Sequence, residues 1–108
     1  LKPMLYGGDQ SNDFCYINEI AQATLKAVKA PWDKWNHIDN IGTGEELTAE
    51  KAGELVCEIT GWKGGVEKIE ARVVDPLRFV YDITKAKVML GYNPEYDFKK
   101  GLKEMFKE

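Results

Sequence analysis

Several common signals of function are scarce or missing in this sequence. Two cysteines and one histidine, His37, are too few for a disulfide framework and give no metal-ligand spacing, so we expect no metal site. The formal net charge is −3, and without a basic block neither nucleic acid nor an anionic membrane surface is an expected partner. No apolar run approaches the roughly 18 residues of a membrane-spanning helix. These absences favour a cytoplasmic protein with reduced thiols.

The composition predicts one globular domain that spans residues 1–108. Hydrophobic residues make up 44% of the chain and charged residues 31%, as in ordinary globular proteins. A chain of this length can bury enough surface for one core. Because the sequence begins with Leu1 rather than Met, we expect it to be a fragment of a longer protein.

The middle of the chain predicts a strand, a glycine turn and a helix in succession. Residues 37–41 favour a buried strand, and Gly42 and Gly44 then provide backbone freedom that other residues lack. Thr48 is a suitable N-cap for a helix over residues 49–60, and Gly61 is a suitable left-handed end. This order is typical of an α/β unit. We therefore expect a mixed α/β (α+β) fold of short strands with about four helices.

Other parts of the chain supply the remaining predicted elements. Residues 3–6 form a short apolar run and residues 13–17 are rich in strand formers, with a Gly-Gly-Asp turn after the first run, which suggests a hairpin or a tight corner. Residues 66–74 alternate as a strand. Apolar spacing predicts helices over residues 19–30, near 83–90 and from residue 98 onward. Their expected N-caps are Asn18, Asp82 and Asp97. The expected inward-facing stripe of the first helix consists of Ile20, Thr24, Leu25 and Val28.

The pair Gly42 and Gly44 has two possible interpretations. A phosphate-binding fingerprint of the form G-x-G-x-x-G would need a third glycine where Leu47 stands. Glu45 and Glu46 would also compete with a phosphate for the same backbone donors. We therefore favour a tight turn over a phosphate loop.

A second open choice concerns Trp32 and Trp35, which lie in the linker after Pro31. Exposed paired indoles would form a stacking or partner-binding site. The alternative is that each indole covers the adjoining edge of the core, and we favour this alternative.

Arg72 and Asp75 lie where the predicted strand over residues 66–74 ends, and Arg78 follows shortly after. An arginine fork matches a diphosphate, and an aspartate can accept from a ribose hydroxyl or orient the arginine. Taken alone, however, such a pair is more often a surface ion pair of little energetic weight.

Five motifs that occur in order along the chain shift the interpretation of Arg72 and Asp75 from a surface ion pair to a binding role. The chain contains Y-G-G-D-Q-S-N-D-F-C-Y-I at residues 6–17, N-I-G-T-G at 40–44, R-V-V-D-P at 72–76, D-I-T-K-A with L-G-Y-N-P at 82–86 and 90–94, and G-L at 101–102. In this order and spacing they resemble the C-terminal part of the extended short-chain dehydrogenase/reductase family, the NAD-dependent nucleotide-sugar epimerases and dehydratases. The resemblance covers almost the whole chain.

The resemblance implies a substrate-binding role. In such isomerases and lyases the C-terminal part grips the nucleotide diphosphate of the sugar donor, while NAD takes up and returns a hydride in the other part. By carry-over, Arg72 would contact the diphosphate and Asp75 the ribose or the arginine, with Arg78 as a weaker candidate. The expected partners are a nucleotide-diphosphate sugar and an NAD-binding domain, with self-association through bare apolar surface as a further expectation.

The chain also departs from the family pattern. Asn12 stands where the family usually has an arginine that contacts the phosphates, and Val73-Val74 replaces Pro-Gly. The glycine fingerprint of the cofactor half is missing. Its catalytic Tyr-x-x-x-Lys is missing as well, because residues 81–85 and 96–100 match that string only by chance. We therefore assign no catalytic residue and no cofactor-binding residue to this chain.

Two other functions remain open from the sequence. One is a stand-alone, non-catalytic module derived from the same family that binds a ligand or a protein. The other is a scaffold that uses Trp32 and Trp35 to hold a partner.

Overall fold

Four α-helices, four short strands and one turn of 3₁₀ helix, Trp32–Lys34, make up the regular structure of residues 2–107, which are the residues that the computed structural model describes. The strands are β1 (Met4–Tyr6), β2 (Ser11–Asn12), β3 (Leu47–Thr48) and β4 (Glu67–Ile69). The helices are α1 (Ile17–Lys29), α2 (Ala49–Thr60), α3 (Thr84–Leu90) and α4 (Phe98–Met105). The predicted mixed α/β class with about four helices is confirmed.

The strands form two small sheets, so of the two predicted alternatives the hairpin is wrong. The predicted strand over residues 13–17 is also wrong, because residues 13–16 have no regular structure and α1 begins at Ile17. β1 pairs in parallel with β4, with Tyr6 opposite Ile69, and the amide of Gly7 extends this pairing by donating to Ile69 O at 2.8 Å. β2 pairs antiparallel with β3 instead, with Ser11 opposite Thr48. Because each strand has a distant partner, the turn at residues 7–9 connects two different sheets. β4 is also shorter than predicted, three residues within the expected 66–74.

The predicted strand over residues 37–41 is wrong as well. This segment has no regular structure, and no backbone–backbone hydrogen bond joins it to another residue in the described range. The hydrogen bond to its backbone comes from a side chain, since Lys85 Nζ donates to Ile38 O. A strand exists only with a neighbour that completes its hydrogen bonds. Its sequence favours a strand, but residues 2–107 supply no neighbour for it.

The helix ends follow the sequence closely. Thr48 Oγ1 accepts from the amide of Lys51 at 3.2 Å, Asp97 caps α4 in the same way, and Gly61 is left-handed with φ 72°. The predicted cap Asn18 is wrong, because α1 begins two residues earlier than expected, at Ile17, with Tyr16 at its N-cap. Asp82 lies one position before the N-cap of α3 and accepts from the amide of Thr84 at 3.0 Å.

The core is small and lies between α1 and α3. Ala23, Ile83, Ala86 and Tyr92 are its buried residues, with Ile41, Tyr81 and Leu90 partly buried around them. The predicted inward stripe of α1 is wrong, because Ile20 is 41% and Leu25 54% exposed.

Instead α1 turns its polar side inward. Glu19 is fully buried and accepts from the amides of Glu95 and Tyr96 at 2.7 and 2.8 Å. Lys26 Nζ donates to Gly91 O at 2.8 Å, on the same side of the helix. These bonds fix the orientation of α1 and leave its apolar side outside.

The tryptophans do not cover the core edge as expected. Trp32 is 75% and Trp35 46% exposed, with their ring centroids 5.2 Å apart. The Trp35 indole donates to Ala30 O at 3.0 Å, which holds the pair against the end of α1. Among the described helices, none is long and apolar enough to cross a membrane.

Candidate functional site

The glycine turn at residues 42–44 is built around one carboxylate. Asp13 accepts from the Thr43 amide at 2.8 Å, the Thr43 hydroxyl at 2.6 Å, the Gly44 amide at 2.9 Å and the Tyr81 amide at 3.4 Å. Gly44 has φ 76°, as its left-handed turn requires. Gly42 is needed for space instead, because a Cβ there would lie 2.6 Å from Asp13 Oδ2.

This arrangement decides between the two interpretations of the glycine pair. The donors of Thr43 and Gly44 already point at the Asp13 carboxylate, so a cofactor phosphate placed there would meet a negative charge at close range. The turn therefore does not fit the diphosphate of NAD, and we derive no chemical step through NAD from these residues. The structure agrees with a tight turn that positions neighbouring segments.

Arg72 and Asp75 come together in the exposed turn that follows β4. Arg72 Nε lies 3.0 Å from Asp75 Oδ2, and Arg72 Nη2 lies 2.9 Å from Asp75 Oδ1, so the contact is bidentate. The guanidinium also lies 5.6 Å from the centre of the Tyr6 ring. The Arg72 side chain is 61% exposed and that of Asp75 only 18%. The arginine is thus oriented from two sides and still presents much of its surface outward.

The other two predicted residues belong to a second group at β2. Arg78 forms an isolated parallel bridge with Ser11, the neighbour of Asn12, so this short segment runs along β2 opposite β3. Arg78 Nε and Ser11 Oγ both donate to Glu46 Oε2, at 2.5 and 3.0 Å. The bond from Arg78 is the main cause that lowers the pKa of the Glu46 carboxyl, followed by the bond from Ser11. Glu46 therefore stays ionised and partly neutralises Arg78.

The two groups are not joined directly. Among residues 2–107 no hydrogen bond or ion pair links Arg72 or Asp75 to Asn12 or Arg78. Both arginines already pair with a carboxylate, Arg72 through two bonds and Arg78 through one, so these contacts do not rank them as phosphate candidates. Arg72 stays the first candidate because of its place in the R-V-V-D-P motif. The binding roles of Arg72, Asp75, Asn12 and Arg78 stay predictions.

Sequence reasoning missed how Asp13 and Glu19 organise the site. Asp13 holds the glycine turn, and Glu19 ties α1 to residues 95–96. Glu19 looked like an ordinary first-turn acid whose charge suits the helix dipole. Its partners lie 76 and 77 residues away, and nothing local in the sequence marks them.

The lysines of the two Tyr-x-x-x-Lys strings each donate to a backbone carbonyl. Lys85 Nζ donates to Ile38 O at 2.8 Å, and Lys100 Nζ donates to Glu95 O at 3.0 Å. Lys100 also lies 4.6 Å from the centre of the Tyr96 ring. In the described residues, no hydrogen bond joins either lysine to the hydroxyl of the tyrosine in its own string.

Comparisons with known proteins agree with the fold. No family model matches the chain. UDP-glucuronic acid decarboxylase 5 of Arabidopsis thaliana is 31% identical over 95 residues, which is 88% of this chain and 27% of the plant protein. The UDP-glucose 4-epimerase of Thermotoga maritima, solved with UDP-glucose, is 31% identical with a TM-score of 0.86 over 94% of this chain and 32% of that one.

A further solved structure shares the fold. The UDP-glucuronic acid 4-epimerase of Bacillus cereus, solved with UDP-glucuronic acid and NAD, is 24% identical with a TM-score of 0.81 over 93% of this chain and 32% of that one. The chain thus spans about a third or less of the length of each relative. Over nearly its whole length, this chain resembles the C-terminal part of the nucleotide-sugar epimerases and decarboxylases of the extended short-chain dehydrogenase/reductase family.

Proposed function

We propose that this chain is the substrate-binding part of an NAD-dependent nucleotide-sugar epimerase or dehydratase, present as a single domain over residues 1–108. The observation that carries the proposal is the match to the Thermotoga maritima epimerase with UDP-glucose, which extends over 94% of the chain. The decarboxylase relative keeps a decarboxylation branch open beside epimerisation. We place the protein in the cytoplasm, where its two unpaired cysteines would stay reduced.

In this proposal the grip on the donor comes from the turn after β4. Arg72 presents its guanidinium to the diphosphate, and the bidentate contact from Asp75 orients the fork beforehand. A pre-oriented arginine loses less side-chain freedom when a ligand binds, which favours affinity. The Asp75 carboxylate then either keeps this contact or accepts from a ribose hydroxyl.

The part of catalysis that this chain would provide is positioning. Holding the diphosphate fixes the sugar relative to reactive groups located elsewhere, and such orientation can supply much of a rate enhancement. The glycine turn contributes by fixing residues 42–44 against Asp13 and residue 81.

Calorimetric titration of the chain with UDP-glucose, UDP and UMP tests the proposal. We expect Arg72→Ala to weaken UDP and UDP-glucose binding by roughly 10- to 100-fold, because a charge-assisted bond to the diphosphate is lost. The loss should be smaller for UMP, which lacks the second phosphate. Arg72→Lys should restore only part of the affinity, since lysine cannot form the fork.

A matched control removes a cation that is equally exposed but lies on α2. Lys51→Ala breaks only the surface pair with Glu54 and should leave all three affinities unchanged. Equal affinity of the Arg72→Ala variant and the original chain for UDP would show that Arg72 does not hold the diphosphate. An original chain that gives no heat with any of the three ligands would count against the whole proposal.

A further inference from the structure

A hollow beside the two indoles that follow α1 lies apart from the candidate site. It has a volume of about 340 Å³ and lies between the end of α1, Leu90 of α3 and residues 34–39. This volume is at the lower end of the roughly 300–1,000 Å³ that is usual for small-molecule sites. We call it the Trp35 hollow, because Trp35 is in its lining while the Trp32 ring packs against the Trp35 ring.

Trp35 gives the hollow a fixed apolar wall. Its indole donates to Ala30 O at 3.0 Å, and its ring centroid lies 5.2 Å from that of Trp32. Trp35 is nevertheless 46% exposed. A ring that is held in this way loses little further freedom when a ligand stacks on it, which favours affinity.

Four polar side chains line the same hollow: Lys34, Asn36, His37 and Asp39. Among residues 2–107, none of these side chains takes part in a hydrogen bond or an ion pair. Asp39 Oδ1 is in addition buried, and a buried acceptor normally has a donor. Asp13 and Glu19, by contrast, each accept several bonds within the chain. The hollow thus combines a fixed aromatic wall with polar groups that have no partner in the described chain.

The backbone at Asn36 explains how neighbouring side chains reach one hollow. Residues 34–37 are consecutive and all line it. In an extended strand, successive side chains would point to opposite faces. Asn36 has φ 61° and is the one described residue other than glycine with a positive φ. Asparagine tolerates this left-handed conformation better than most residues, so the sequence permits the bend that gathers these side chains.

The chemistry of the lining favours a neutral ligand with several hydroxyl groups. Lys34 and Asp39 carry opposite formal charges, so a phosphate would be repelled by the aspartate and an ammonium group by the lysine. Lysine only donates and a carboxylate only accepts, whereas asparagine and a neutral histidine do both. Sugar hydroxyls also donate and accept, and the apolar C–H face of a sugar ring can pack flat on an indole.

We propose that the Trp35 hollow is a binding site for a neutral sugar, which stacks on Trp35 and donates a hydroxyl hydrogen bond to the Asp39 carboxylate. Lys34 and Asn36 donate to other oxygen atoms of the same sugar. None of the four residues assigned to the nucleotide sugar lines this hollow. The site is therefore separate from the proposed grip on a diphosphate and can fail independently of it.

Nuclear magnetic resonance titration of the chain with neutral sugars tests the proposal. The indole N–H signals of Trp32, Trp35 and Trp62 are assigned with single Trp→Phe variants. The probes are the methyl α-glycosides of glucose, galactose and mannose, together with maltotriose. We expect at least one probe to shift the Trp35 signal saturably, with a Kd on the order of 1 mM, and to leave the Trp62 signal in place. A Trp35 signal that shows no saturable shift with any of the four would overturn the proposal.

Variants locate the binding site, with the affinity measured by calorimetry at high sugar concentration. Asp39→Asn keeps the size of the side chain and removes the charged acceptor, so it should weaken binding by roughly 5- to 10-fold. Trp35→Ala removes the stacking wall and should weaken it by roughly 10-fold or more. The matched controls are Asp33→Asn and Trp62→Ala, which change exposed residues outside the lining and should keep the affinity. Equal losses in Asp33→Asn and Asp39→Asn would overturn the proposal, because net charge and not the hollow would then determine binding.

Two further ligands separate a sugar site from its rivals. Saturable binding of arginine amide at Trp35, with no sugar bound, would show a cation site and overturn the proposal. UDP should bind the Asp39→Asn variant and the original chain equally, because Asp39 is not among the residues assigned to the diphosphate. A chain that binds a neutral sugar at Trp35 but gives no heat with UDP would support this site while counting against the proposed function.

Discussion

Tyr92 shows at the scale of one residue how the core supports the glycine turn. Its ring is 1% exposed, and its hydroxyl donates to Gly42 O at 2.6 Å. Burial is the main cause that raises the pKa of the Tyr92 phenol, and Cys15 and Glu19 beside it add to the rise. Burial, followed by Glu19, also raises the pKa of the Cys15 thiol.

These shifts predict a loss of stability in alkaline solution. Above the ordinary tyrosine pKa of about 10 the unfolded chain releases a proton that the folded chain keeps, so the free energy of unfolding falls as pH rises. Tyr92→Phe should cost about 1 kcal/mol at pH 7, because Gly42 O loses its donor, and should make the decline above pH 10 shallower. Urea unfolding from pH 7 to 11 measures both. An unchanged alkaline slope in the variant would contradict the assignment to Tyr92.

At the scale of one element, two glycines of α2 have different roles, one inside the helix and one at its C-terminal end. Gly53 lies inside α2 and has nothing within 4 Å of a Cβ, whereas Gly61 ends the helix at φ 72° with equally open space. Gly53→Ala should therefore raise the free energy of unfolding by about 0.5–1 kcal/mol. Gly61→Ala should lower it by about 1 kcal/mol, because alanine resists the left-handed conformation. Since neither change meets a neighbour, shifts of the same sign in denaturant melts would contradict this account.

The elements also show which features a sequence can specify. The caps Thr48 and Asp97 and the end at Gly61 were predicted correctly, because each acts on backbone groups within four residues. The orientation of α1 was not predicted correctly. The apolar side of this helix looks in the sequence like a buried side, but the sequence does not show whether other residues of the same chain cover it. The predicted strand over residues 37–41 failed because local sequence cannot show whether a second segment pairs with it, and none in residues 2–107 does. At the candidate site, Arg72 and Asp75 could be paired from their spacing, whereas the contacts of Asp13 and Arg78 depend on distant segments.

The whole molecule is less compact than a typical domain with the same number of residues. Its radius of gyration is 16.5 Å, against about 13 Å for a compact domain of this length. A flat fold with few buried apolar residues keeps this shape only if contacts such as those of Glu19 and Asp13 fix it, since the hydrophobic effect alone would favour a rounder form.

Small-angle X-ray scattering of the chain in dilute solution tests this shape. We expect a radius of gyration close to 16.5 Å that does not change on dilution, together with strong binding of a hydrophobic dye to the bare α1 stripe. Leu25→Glu should reduce dye binding and keep the radius, because it changes the surface and not the contacts beneath it. A value near 13 Å would mean that the chain in solution repacks its apolar side inward, and it would contradict the expected shape.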